Sequence, residues 1–206
     1  MNNHMKLRAL CEGAIMVALA LILDKLKLYQ FPDGGSIDLA MLPIILFAAR
    51  YGFGWGALVG FVSGTLNYLV GSKFSIDWTT IICDYFVAFV ALGFGAGLFS
   101  RRKWSVFYGT LIGGTLRFLA HFFVGALVWG KYMPERFFDM EMTSPWFYSL
   151  LYNGSYMLPD IILCLVVFAA LYKSLKKYFI GADLQLASAA AQENKEDKTS
   201  KYDPEH

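Results

Sequence analysis

The sequence predicts an all-α integral membrane protein, and three observations carry that expectation. Of 206 residues, 57% are hydrophobic and only 17% charged, whereas a soluble domain holds roughly 25% charged residues. The apolar residues come in long runs rather than in periodic stripes. Lysine and arginine gather in alternate connections between those runs, as the positive-inside rule requires. The formal net charge of +2 is too small to point to a nucleic-acid partner.

A spanning helix needs about 20 apolar residues, and six segments present themselves: Leu7–Leu26, a short Ile37–Ala49, Phe53–Val70, Trp78–Phe99, Val106–Trp129 and Trp146–Tyr172. The first is too long and too poorly ended for a cleaved signal peptide and reads as a retained helix. The second crosses only if tilted or shielded, or forms a partial span. With the N-terminus inside, Lys6, Arg8, Arg50, Arg101, Arg102, Lys103, Lys173, Lys176 and Lys177 fall on the cytoplasmic side. The outer loops then carry Lys25, Lys27, Lys73, Lys131 and Arg136, diluted by acids. Both termini are therefore expected in the cytoplasm.

Two outer connections carry structure of their own. Tyr29–Ser36, YQFPDGGS, is a strong turn signal; Lys131–Pro145 sets Tyr132, Phe137 and Phe138 beside charges. Residues 1–180 form the expected membrane domain. Residues 181–206 turn polar and are expected to be a disordered tail. Cys11, Cys83 and Cys164 lie in apolar runs without CxxC or Cys/His spacing, so they read as buried thiols, with no metal site and no disulfide.

Ionisable groups inside a membrane are costly, at least about 2.5–3.5 kcal/mol on insertion scales, so each is a functional candidate. Asp38 opens the second segment; Asp84 and Tyr85 sit in the fourth; Arg117 and His121 share a face of the fifth, four residues apart. Tyr148, Tyr152, Asn153, Tyr156 and Asp160 run down the sixth. Counted from the outer helix ends at 1.5 Å per residue, Asp84 lies about 9 Å deep, His121 about 12 Å and Asn153 about 10 Å. Polar groups of three helices thus meet at one level, which predicts a pocket opening outward. Each has a plainer role available: an Asp84–Arg117 ion pair, a packing histidine, an asparagine bridging helices, and interfacial belt positions for Tyr85, Trp129 and Tyr148. A carboxylate among aromatic rings suits a flat, cationic or amino-bearing heterocycle. Neither a nucleophile–base–orienter triad nor a Walker motif is present, so no catalytic residue is assigned and the chain cannot hydrolyse ATP by itself. In helix one, Ala14 and Ala18 have the small-xxx-small spacing that permits close helix approach, within the protein or to a partner.

Four stretches, GGSIDLAMLPI, CDYFVAF, LRFLAHFFVGALVWG and YSLLYNGSYMLPD, occur in that order. Together they resemble the thiamine-specific S component, the substrate-binding subunit of energy-coupling factor (ECF) transporters of Gram-positive bacteria, over about residues 7–178. The resemblance implies a six-helix S-component fold in the cell membrane. It implies thiamine held near the outer face under the first outer loop, and no enzymatic activity or cofactor. It further implies docking by an AxxxA motif, here Ala14 and Ala18, onto a transmembrane coupling subunit with two ATPases, with toppling in the membrane to release the vitamin. The matching site positions are Asp84, Tyr85, His121, Trp129, Tyr148 and Asn153. Of these, Asp84, Tyr148 and Asn153 would hold the aminopyrimidine, with His121 and Trp129 against the rings. Asp38 and Arg117 are added from their placement, Arg117 to balance carboxylates or touch the ligand's tail. The family often has Glu at Asp84, and some members carry Trp near Gly34 and Ser63, for which Trp78 or Tyr68 could substitute. Those departures keep open another vitamin or a precursor such as a hydroxymethylpyrimidine. An intramembrane enzyme using His121 and Asp84, and a solitary ion-coupled carrier, are the readings of other classes.

Overall fold

The computed structural model describes residues 3–32, 34–70, 75–186 and 189. Its elements are α1 (Asn3–Lys25), a hairpin of β1 (Tyr29–Gln30) and β2 (Ser36–Ile37), α2 (Met41–Tyr51), α3 (Phe53–Val70), α4 (Trp78–Gly97), α5 (Ser105–Leu127), a second hairpin of β3 (Arg136–Phe137) and β4 (Met140–Glu141), and α6 (Pro145–Phe179). Both hairpins are antiparallel, pairing Tyr29 with Ile37 and Arg136 with Glu141. Among the described residues, the fold is all-α apart from these two short ribbons. Among the described residues, α3, α4, α5 and α6 are long and apolar enough to cross a membrane. Helix α1 has the length but carries Lys6, Arg8, Glu12, Asp24 and Lys25, and α2 is only 11 residues long.

The second segment starts later than the sequence suggests. Ile37 belongs to β2, and Asp38 lies in the connection before α2. The turn chemistry of Pro32 and the glycines makes a hairpin first, and its return strand consumes the residues that hydropathy assigns to the helix. Helix α2 is then the most enclosed element: Met41, Ile44, Ile45, Phe47, Ala48 and Ala49 are fully buried among its neighbours. A helix buried on all sides needs no lipid-length run.

Glycine brings α3 against α4. Gly56, Gly60 and Gly64 recur every fourth residue on one face, and a Cβ on them would stand 2.3, 2.2 and 1.9 Å from the carbonyl oxygens of Gly93, Phe89 and Tyr85. Without side chains the two backbones touch directly, the close approach that small residues give membrane helices. Gly113 of α5 meets the Leu92 carbonyl of α4 in the same way.

At the basic end of the bundle, Arg50 is wholly buried. It pairs with Glu12 of α1 at 3.2 Å and with Asp183 at 3.1 Å, and its guanidinium lies 3.5 Å from the Tyr178 ring centroid. Arg8 bonds Glu12 at 2.9 Å and also Asp183. Residues 182–186, which composition assigns to the polar tail, thus form a further helical turn with Leu184 buried. Of the tail beyond 186, all but 189 lies outside the described residues. Lys73 also lies outside them. Of the cysteines, Cys164 is buried, Cys83 half-buried and Cys11 exposed on α1, so the expectation of a buried thiol fails at Cys11. Ala14 and Ala18 face outward, while Gly13, Val17 and Ala20 face the bundle.

Candidate functional site: an aromatic cavity with a paired carboxylate

At the end opposite the Arg50 cluster, a cavity of about 190 Å³ opens between α4, α5 and α6 beneath the β1–β2 hairpin. The periodicity of its walls explains which residues line it. On α6, Tyr148, Tyr152, Tyr156 and Asp160 recur every fourth residue and form one stripe, with Ser149 and Asn153 beside it. On α5, Arg117, His121 and Gly125 do the same. Gly125 makes room: a Cβ there would stand 2.3 Å from Ser149 Oγ and 2.9 Å from Asn153 Nδ2.

Helix α4 supplies its residues differently. Ile81–Val87 is π-helical, with the Ala88 amide donating to the Cys83 carbonyl. Such wide turns inside α-helices occur often at functional sites, and this one carries Asp84 and Tyr85 to the cavity wall. The Asp84 carboxylate is held from both sides: Oδ1 lies 2.8 Å from His121 Nδ1, and Oδ2 accepts from Trp129 Nε1 at 3.1 Å. Since Nδ1 is engaged by the carboxylate, His121 keeps Nε2, which is buried and without a hydrogen-bond partner. Asn153 donates through Nδ2 to the Ser149 carbonyl at 2.9 Å and to Ser149 Oγ at 3.0 Å, while its Oδ1 accepts from Tyr156 at 2.7 Å. That leaves one acceptor lone pair on the amide.

The hairpin lies over this chamber. The Gly35 amide donates to the Tyr152 hydroxyl at 2.9 Å, and Phe31 packs edge-on against Tyr152. A Cβ on Gly35 would sit 2.7 Å from the Tyr156 ring, so only glycine permits this seat. From the β3–β4 hairpin, Phe137 packs at 90° against Tyr148, 5.7 Å between centroids. The β3–β4 turn runs through Phe138 and Asp139, both at positive φ, the primed turn geometry of tight hairpins.

All eight residues expected at a site, Asp38, Asp84, Tyr85, Arg117, His121, Trp129, Tyr148 and Asn153, border this one cavity. Three of the alternatives open for their surroundings do not hold: the Asp84–Arg117 pair, and Trp78 or Tyr68 as a substitute wall. Asp84 pairs with His121 and Trp129 rather than Arg117, because the π-turn and the end of α5 bring those groups to it. Arg117 instead lies over the Phe89 ring at 4.5 Å, and its Nε has no hydrogen-bond partner. Neither Trp78, 80% exposed, nor Tyr68, edge-on to Tyr85 at 5.1 Å, lines the cavity, so neither replaces an absent tryptophan. Asp38 is buried with Asp160; its amide donates to Asp160 Oδ1 at 2.9 Å. Burial holds the Asp38 carboxyl above its ordinary range, opposed by the Ala40 amide, the charge of Arg117 and the Ser36 hydroxyl. Lys27, Asn67 and Tyr132 also reach the cavity; no periodicity in the sequence marks them. Among the described residues, no group of His, Cys, Asp and Glu is placed to hold a metal. The arrangement can enclose a flat cationic heterocycle between aromatic faces and present it with a carboxylate and an unpaired ring nitrogen.

Comparison with known proteins bears on the ligand. The family profile described as Thiamine transporter protein matches residues 10–180. The thiamine transporter ThiT of Bacillus subtilis is 35% identical over 186 residues, covering 84% of this chain and 94% of that protein. ThiT of Lacticaseibacillus paracasei is 27% identical over 198 residues, covering 89% and 96%. The solved structure of ThiT from Listeria monocytogenes superposes with a TM-score of 0.74 at 26% identity, covering 85% of this chain and 98% of that one.

Proposed function

Because this chain belongs to the thiamine transporter family, a family of multi-pass membrane transport proteins rather than enzymes, we propose that it is the thiamine-binding subunit of an ECF-type importer in the cell membrane of a Gram-positive bacterium. The observation that carries this reading is the Asp84 carboxylate, clamped between His121 and Trp129 in an aromatic cavity. Thiamine joins an aminopyrimidine to a thiazolium cation. A fixed carboxylate can accept from the exocyclic amino group and oppose the positive ring, which neutral aromatic walls alone do only weakly. His121 Nε2 and the remaining lone pair on Asn153 Oδ1 add directional contacts, with Tyr85, Trp129 and Tyr148 as ring walls. Asp38 and Arg117 stand deeper, where the hydroxyethyl arm would reach. The outward-facing Ala14 and Ala18 offer a flat strip for a coupling subunit carrying two ATPases, which would supply the energy.

Trp129 lies in the wall, so thiamine should quench the protein's tryptophan fluorescence and saturate near one equivalent. Absence of any response up to high micromolar thiamine would sink the assignment. Gly34 borders the cavity where some relatives of the S-component type carry tryptophan. This favours, as a second reading, a smaller pyrimidine precursor; competition of hydroxymethylpyrimidine against thiamine in the same titration decides between them.

A further inference from the structure

Among the described residues, the basic end holds cations that no carboxylate neutralises. Glu12 and Asp183 are both taken up by Arg8 and Arg50. Among the described residues, Arg102, Lys103 and Lys176 form no salt bridge and all three are exposed. They lie around one stacked pair of rings: Trp104 and Tyr172 are parallel within 7° at 4.6 Å, which joins the α4–α5 turn to the end of α6. Lys103 Nζ stands 5.6 Å from the Trp104 ring. Lys176 is one helical turn beyond Tyr172, on the same face. The Arg102 guanidinium is 5.8 Å from the Phe99 ring, and Phe99 packs on Tyr108, which is 48% exposed on the apolar flank of α5.

The turn is built rather than slack. Arg101 and Trp104 both take left-handed backbone geometry, φ 61° and 69°, which side chains other than glycine adopt only when held there. They are held: the Arg101 amide donates to the Ala49 carbonyl at 2.8 Å, its Nε donates to the Arg50 carbonyl at 3.1 Å, and the Trp104 amide donates to the Tyr172 hydroxyl at 3.3 Å. This geometry turns Trp104 onto Tyr172 and leaves the two cations before it facing out.

We propose that this turn and the end of α6 bind the headgroup of an anionic phospholipid, its phosphate among Arg102, Lys103 and Lys176 and its acyl chains along Phe99 and Tyr108. The occupant must satisfy two surfaces that meet at one edge. Unpaired cations call for an anion, and the adjoining exposed aromatic face calls for hydrocarbon. A soluble phosphate or an acidic peptide meets the first alone. The positive-inside rule places this end at the cytoplasmic leaflet, where anionic headgroups attract basic residues.

Native mass spectrometry of the delipidated full-length protein, titrated with phosphatidylglycerol or phosphatidylcholine, tests the site. Wild type should retain phosphatidylglycerol preferentially. The triple variant Arg102→Gln, Lys103→Gln, Lys176→Gln should lose about five-fold in affinity per cation, roughly a hundredfold together, with phosphatidylcholine unaffected. Equal retention of the two lipids by wild type, or unchanged phosphatidylglycerol binding in the triple variant, overturns the proposal. Should the triple variant be unstable, Lys103→Glu alone must show the loss, while Arg102→Lys must keep wild-type retention. Displacement of the lipid by inorganic phosphate at matched concentration would mark a soluble-anion site and also overturn it. So would lipid binding that emerges only when Glu193→Gln, Glu196→Gln and Asp197→Asn are introduced together, since the acidic tail would then be the occupant. None of these readouts depends on thiamine.

Discussion

Replacing Asp84 by asparagine removes one charge and almost no volume, which makes it the sharpest probe of the cavity. In the structure the carboxylate accepts at 2.8 Å from His121 Nδ1, when that nitrogen carries the proton, and at 3.1 Å from Trp129 Nε1. An amide can accept from Trp129 through its oxygen and must then turn its NH₂ toward His121, which keeps a partner only by moving its proton from Nδ1 to Nε2; either way the charged acceptor is lost. A hydrogen bond to a charged group contributes about 1.5–3 kcal/mol. The attraction of a carboxylate for a cationic ring about 6 Å away, at an effective dielectric near 20, is roughly 3 kcal/mol. The two overlap, and a net loss of about 2–4 kcal/mol corresponds to a thirty- to thousand-fold weaker Kd. Fluorescence titration of wild type and Asp84→Asn with thiamine reads this directly. An analogue with a keto group in place of the amino group closes a double-mutant cycle: if Asp84 accepts from the amino group, the variant should lose much less affinity for the analogue than for thiamine. A Kd within about three-fold of wild type, with an unchanged melting temperature, would refute the role given to the carboxylate.

Ala14→Trp with Ala18→Trp should abolish co-purification of a coupling subunit while thiamine binding persists; a normal yield removes the docking face. Gly35→Ala should push the β1–β2 hairpin off Tyr156 and Tyr152, raising the thiamine dissociation rate about ten-fold at nearly constant melting temperature, since such effects fall mainly on dissociation; stopped-flow release measures it. Arg50→Met should cost on the order of 3 kcal/mol, because Glu12 and Asp183 then keep only Arg8 as a partner. A thermal shift in detergent should show that loss, with the ligand stoichiometry of the folded fraction unchanged.

Which residues border the cavity was legible in the sequence, and so was the all-α membrane fold; the contacts those residues make were not. Depth arithmetic on three helices brings Asp84, His121 and Asn153 to one level, because a helix has a fixed rise and membrane burial of polar groups is costly. The same arithmetic cannot say which neighbours they meet. The π-turn at Ile81–Val87 shifts Asp84 relative to an ideal helix, and only the finished structure shows that its partners are His121 and Trp129, not Arg117. Tyr152 and Tyr156 share the tyrosine stripe visible in the sequence, yet their contacts with the hairpin arise from long-range packing. Hydropathy misplaced the start of α2 because it counts Ile37 as apolar and does not weigh hairpin pairing. The spacing Gly56, Gly60, Gly64 was present to be read, and its meaning depends on which helix lies opposite. Asp183 sits in a polar stretch, where composition hides its attachment to a buried arginine.

The glycine row of α3 has a consequence for tolerance to substitution. The Tyr85 carbonyl, immediately beyond Asp84, rests where any Cβ on Gly64 would have to go, 1.9 Å away. A side chain at Gly64 therefore displaces the backbone that carries the carboxylate, although Gly64 does not border the cavity. In a saturation scan scored by vitamin uptake, α3 should show a four-residue rhythm of intolerance. Its final beat, at Gly64, should give a membrane-inserted protein that no longer holds its ligand.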